Sequence, residues 1–117
     1  AREWRCILVL KGAGTVTASP GGEIYFNPTG GPALATAGTG DLLTGLIASL
    51  IAQGMAPFDA AGAAAYIHGL AGDLLPEGRG SIAGEVLARF PAAFRRLDGE
   101  SKAPSPWGPF HRQLRPV

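Results

Sequence analysis

The chain has 117 residues, the size of one modest domain or of a piece of a larger one. Its 18 Gly and 10 Pro make about a quarter of the sequence, yet 46% of residues are hydrophobic and only 16% charged, too apolar for a disordered chain. Ten Lys and Arg against nine Asp and Glu leave a formal net charge of +1, which argues against a nucleic-acid or anionic-membrane surface. One cysteine, Cys6, excludes an internal disulfide framework and a cysteine-built zinc cage, and is compatible with a reducing cytoplasm. The most apolar stretch, residues 42–52, is shorter than the ~20 residues that cross a bilayer. The opening Ala-Arg-Glu-Trp-Arg carries neither an initiator Met nor a signal-peptide pattern, so the sequence reads as starting partway through a protein.

Residues 5–10 (Arg-Cys-Ile-Leu-Val-Leu) form a short apolar run, expected to be a strand buried on both faces whose neighbours come from elsewhere. Cys6 within it is expected to be inert. Residues 15–18 and 23–27 are strand-like, and Ser19-Pro20-Gly21-Gly22 between them signals a hairpin turn. Residues 28–40 form a loop of Gly, Thr and Ala without a single charge. Asp41 opens a helical stretch in which Leu42, Leu43, Leu46, Ile47, Leu50 and Ile51 recur at helical spacing. Its opposite face is small and uncharged, which predicts a helix buried on both sides, with Gly54 as its C-terminal cap.

Pro57 suits the first turn of a second helix, running to about Leu75 and stopped by Pro76. A third helical region covers residues 84–97 and is expected to break at Pro91. Residues 98–117 are Pro-rich and aperiodic and are expected to be a flexible tail, with a docking patch at Trp107 and Phe110 as the alternative. Strand, hairpin and three helices define an α/β or α+β architecture over residues 1–97.

The chemically informative segment is Ala37-Gly38-Thr39-Gly40-Asp41, at the head of the first helix. Free N–H groups at a helix N-terminus, with roughly +0.5 of a charge, attract an anion, and Gly38 and Gly40 allow a phosphate close to the backbone. Asp41 cannot bind that phosphate, because like charges repel. It suits a general base facing an acceptor hydroxyl, as phosphoryl transfer requires. Asp in a first turn is also common simply because it caps N–H groups.

Lys11-Gly12-Ala13-Gly14-Thr15 is a second candidate, since it follows a strand where α/β folds place ligands. Its spacing is neither a Walker A loop nor a dinucleotide fingerprint, and a tight turn with a surface lysine would look the same. His68 and Asp73 lie five residues apart on the second helix, do not share a face, and are read as structural. Asn27 and Thr29 either fix the loop or touch a ligand. Ser19, Ser49 and Ser81 lack a His/Asp context for nucleophilic work.

Four segments occur in one order: Val9-Leu10-Lys11-Gly12-Ala13-Gly14-Thr15, Asn27-Pro28-Thr29-Gly30, Ala35-Thr36-Ala37-Gly38-Thr39-Gly40-Asp41-Leu42-Leu43-Thr44-Gly45, and His68-Gly69-Leu70-Ala71-Gly72-Asp73. This set resembles the C-terminal part of the ADP-dependent NAD(P)H-hydrate dehydratases, of the ribokinase-like superfamily. The resemblance implies repair of hydrated NADH and NADPH. ADP (ATP in eukaryotic members) phosphorylates the ring hydroxyl, phosphate leaves, and NAD(P)H, AMP and phosphate result.

It implies Asp41 as the base contacting the hydrate, and Ala37, Gly38, Thr39 and Gly40 as the anion hole. Lys11, Gly12, Ala13, Gly14, Thr15 and Gly40 would hold the nucleotide. Mg²⁺ would bridge phosphates with no assigned protein ligand. Two departures stand out: Thr29-Gly30-Gly31-Pro32 replaces the family's Thr-Gly-Asn-Pro, and Gly-Thr-Gly-Asp replaces Gly-Ser-Gly-Asp. A full family domain is more than twice this length. The chain alone is therefore expected to be inactive without a complementing N-terminal half, and the complete enzyme to be a cytoplasmic homo-oligomer. A ribokinase-like kinase of a vitamin precursor, or a non-catalytic nucleotide-binding module, would share the same anion site.

Overall fold

The computed structural model describes residues 1–76 and 80–100. Three short strands come first: β1 (Leu8–Leu10), β2 (Val16–Ala18) and β3 (Ile24–Phe26). A 3-10 turn at Pro32–Leu34 leads into α1 (Thr39–Ala52), α2 (Pro57–Asp73) and α3 (Ala83–Glu100). The expected Trp107 and Phe110 docking candidates lie outside the described residues.

The strands form an antiparallel sheet in the order β1-β2-β3. The hairpin closes where Ser-Pro-Gly-Gly signalled it: Ser19 N–H donates to the Glu23 carbonyl at 2.9 Å, and the Ser19 hydroxyl donates to the Glu23 carboxylate at 2.9 Å. Register places Val9, Thr17 and Tyr25 in one row across the sheet. Thr17 is fully buried and Val9 packs on the core, so this face looks inward.

The outer face departs from expectation. Its rows are Leu10, Val16 and Phe26, then Leu8, Ala18 and Ile24. Leu10, Ile24 and Phe26 are 65%, 60% and 70% exposed. The strand around residues 5–10 is therefore not buried on both faces. It shrinks to Leu8–Leu10 and pairs with β2 of this chain. Periodicity marked these residues as core-forming; nothing in the described chain covers their outer side. Cys6 precedes the strand and is exposed rather than packed.

Successive turns of α1 bury Leu43, Leu46 and Leu50. Thr44, Gly45, Ala48 and Ser49 on its other face are exposed, which corrects the expectation of a helix buried all round. Gly54 ends it as expected, with φ +93°: its N–H donates to the Ile51 carbonyl at 2.9 Å and Met55 N–H to Leu50 at 3.1 Å, a Schellman closure. The central element is α2, buried at nearly every residue from Ala60 to Gly72. Ala and Gly keep its surface thin, and both α1 and α3 pack against it.

At the start of α3 the Glu85 carboxylate accepts the Ile82 N–H at 2.9 Å, one half of a capping box. The helix runs unbroken through Pro91, contrary to expectation. Pro91 withholds an N–H from the Leu87 carbonyl, but both residues are exposed, where water can serve that oxygen. Val86, Phe90, Ala93, Phe94 and Leu97 carry the packed side straight through. Among the described residues, no helix is long and apolar enough to cross a membrane.

Candidate functional site

The head of α1 has its main chain bared by two local devices. Gly38 takes φ +90° as N-cap, a conformation costly for any side chain, and a Cβ there would lie 3.2 Å from that of Ala83. Thr39 is 2% exposed and turns inward, its hydroxyl 2.9 Å from the Leu34 carbonyl and 3.0 Å from that of Thr36. The first main-chain bond of the helix runs from Leu42 N–H to Gly38 O at 3.2 Å. The N–H groups of Thr39, Gly40 and Asp41 thus lack intrahelical acceptors. Asp41 is exposed at the third helical position.

Lys11 approaches this end from the sheet. Its ammonium nitrogen lies 3.4 Å from where a Cβ on Gly40 would be. The turn after it is closed by Thr15, whose hydroxyl donates to the Gly12 carbonyl at 3.2 Å. The structure so brings together two segments whose Lys11 and Gly40 lie far apart in sequence.

The loop between them is stapled to α2. Asn27 Nδ2 donates to the Thr29 and Ala65 carbonyls at 3.0 and 3.1 Å. The Thr29 hydroxyl donates to the Tyr66 carbonyl at 2.8 Å, and Gly30 N–H to the Asp73 carboxylate at 2.9 Å. Asn27 and Thr29 fix the loop's shape, and both also line a cleft of about 470 Å³.

Lys11, Gly12, Ala13 and Thr15 form one wall of that cleft; Gly30, Gly31, Leu43 and His68 are among the others. Gly14, Ala37, Gly38, Thr39, Gly40 and Asp41 are not part of its lining. Gly14 sits exposed at the turn's tip with φ +73°, and Gly40 lies beside the ammonium of Lys11, which does line the cleft.

His68 is buried at 3% exposure, with Nε2 2.8 Å from the Thr39 carbonyl. Burial holds its pKa below the ordinary imidazole value; the bond to Thr39 opposes this, and the Lys11 charge adds to it. Sequence reasoning read His68 and Asp73 as structural, and both do make structural bonds. It missed that His68 holds the head of α1 and also lines the cleft. Among the described residues, no group of three or more His, Cys, Asp or Glu is placed to hold a metal ion.

These elements are a portion of a ribokinase-like α/β fold. A solved ADP/ATP-dependent NAD(P)H-hydrate dehydratase from Bacillus subtilis, co-crystallized with ATP/Mg²⁺ and soaked with CoA, superimposes with a TM-score of 0.78 at 36% identity. The match covers 82% of this chain and 37% of that one. The family model for NAD(P)H-hydrate dehydratase matches residues 1–89, and the chain belongs to that family. The bifunctional NAD(P)H-hydrate repair enzyme of Moorella thermoacetica is 52% identical over 103 residues, covering 86% of this chain and 19% of the relative. The ADP-dependent (S)-NAD(P)H-hydrate dehydratase of Neisseria meningitidis is 49% identical over 90 residues, covering 77% of this chain and 30% of the relative. The chain thus spans about a fifth to a third of these curated relatives' length.

Proposed function

We propose that this chain supplies the nucleotide- and phosphoryl-handling part of an enzyme that dehydrates NAD(P)H hydrate at the expense of ADP. The observation that carries the proposal is the pairing of the Lys11 ammonium with the open amide end of α1 at Gly40. A cation beside the open N–H groups of a helix end favours an anion there, and a transferring phosphoryl group is such an anion. Asp41 stands next to Gly40 on the exposed side, where an acceptor hydroxyl can reach it.

Asp41 takes the proton of the hydrate's ring hydroxyl while that oxygen bonds the terminal phosphorus of ADP and AMP departs. The phosphate ester then breaks its C–O bond, a ring proton is lost, and the double bond returns with free phosphate. Residues 11–15 hold the nucleotide. The Bacillus subtilis relative was co-crystallized with ATP/Mg²⁺, which supports nucleotide use. Mg²⁺, when bound, would screen phosphate charge through phosphate and water oxygens. A complementing N-terminal α/β half is the partner we assign to the bare apolar face of Leu10, Ile24 and Phe26.

The test is Asp41→Asn in the assembled enzyme, with NADH recovery from its hydrate followed by absorbance. Nucleotide affinity should persist while turnover falls about 10²–10⁴-fold, the usual loss for a missing general base. Unchanged turnover removes Asp41 from the chemistry.

A further inference from the structure

We propose that His68 is a positioning residue, which aims the Gly40 N–H at the anion by gripping the carbonyl of the same peptide unit. This rests on the anion site proposed above. A peptide unit is planar and trans, so its carbonyl oxygen and its N–H point in opposite directions and turn together. Thr39 carbonyl and Gly40 N–H belong to one such unit. His68 Nε2 lies 2.8 Å from that oxygen. A carbonyl only accepts, so Nε2 carries the proton and donates. The bond spans 29 residues of sequence, from the middle of α2 to the first residue of α1.

The grip is itself held. His68 is 3% exposed, and its ring meets that of Phe90 from α3 edge-on, with centroids 6.5 Å apart. Thr39 is fixed from its other side by the contacts of its hydroxyl with Leu34 and Thr36. The peptide between Thr39 and Gly40 is thus pinned by three elements before any ligand arrives. Hydrogen bonds in a chain also polarise one another, so a donor on the carbonyl makes the N–H beyond it a better donor.

Solution NMR on the 117-residue chain tests this with the unchanged protein, His68→Leu and His68→Gln. Long-range nitrogen–proton spectra of the unchanged chain should show the Nε2–H tautomer; the Nδ1–H tautomer overturns the assignment. Leu fills space without a donor, whereas the Gln amide restores one. The Gly40 amide resonance should move in His68→Leu and return in His68→Gln, at similar melting temperatures of the two variants. ADP affinity, titrated at that resonance, should fall about tenfold in the first and stay within about twofold in the second.

A Gly40 resonance that ignores both substitutions, or ADP affinity unchanged in His68→Leu, overturns the positioning role. If ADP fails to bind the unchanged chain while Gly40 still follows His68, the positioning stands and the nucleotide-handling role proposed for this chain falls. If His68→Leu does not fold, the tautomer and His68→Gln decide.

Discussion

Lys11 Nζ faces the amide end of α1, 3.4 Å from the point a Gly40 Cβ would occupy. A cation at the positive end of a helix dipole gains nothing from that placement without an anion between them. Lys11→Met should therefore leave the melting temperature unchanged or slightly raised. ADP affinity, read by calorimetry, should weaken about tenfold or more, as expected when a charged hydrogen bond is lost. A variant that melts earlier yet binds ADP normally would show that the lysine serves the fold instead.

Gly40→Ala separates space from stability at the same point. The new methyl would meet only the far end of the Lys11 side chain, which can swing aside. Ala is the better helix former by up to about 1 kcal/mol, so thermal stability should hold or rise. The methyl would still occupy the gap between ammonium and amides. ADP binding should drop about tenfold or more, the worth of a charged contact; undiminished binding places the anion elsewhere.

Local signals in the sequence were legible because their physics is local. Ser-Pro-Gly-Gly bends the chain into the hairpin, Gly54 closes α1, and Pro57 opens α2 within a few residues of themselves. Burial was less legible. The apolar rows of Leu10, Phe26 and Ile24, and the small face of α1, announce a cover, but hydropathy does not say whether that cover lies in the same chain. The bonds from Asp73 to Gly30 and from His68 to Thr39 cross 43 and 29 residues. No periodicity encodes such pairings. Their one trace is the run of Gly and Ala on α2 that lets the loop approach.

That approach predicts a graded response along α2. A Cβ on Gly69 would overlap the Thr29 hydroxyl and lie 2.7 Å from the Thr29 carbonyl carbon and oxygen, which are backbone and cannot step aside. Gly69→Ala should cost about 1–3 kcal/mol from overpacking, offset by at most about 1 kcal/mol of helix propensity. Gly72→Ala should cost less, because its obstacle is the Leu34 side chain, which can rotate. Gly45→Ala on α1 meets nothing within 4 Å and should stabilise by up to about 1 kcal/mol. Urea unfolding of the three variants gives the order, and equal effects at Gly69 and Gly45 would refute the stapled loop.

His68 should also write itself into the pH dependence of stability. Its folded pKa lies below the ordinary value of about 6.5, chiefly through burial, with the Lys11 charge in the same direction. Below about pH 6.5 the unfolded chain takes up a proton that the folded chain refuses, so proton binding favours unfolding. The contribution is complete above that pH and is lost as pH falls through the depressed folded value. Urea unfolding at about pH 7.5 and about pH 5.5 should show the drop in the unchanged chain and a smaller one in His68→Gln, which cannot titrate. Lys11→Met should make the loss smaller and complete it at a higher pH, since removing the nearby ammonium eases imidazole protonation in the folded chain. The same drop in His68→Gln would assign the pH dependence to other groups and leave the imidazole silent in the folded state.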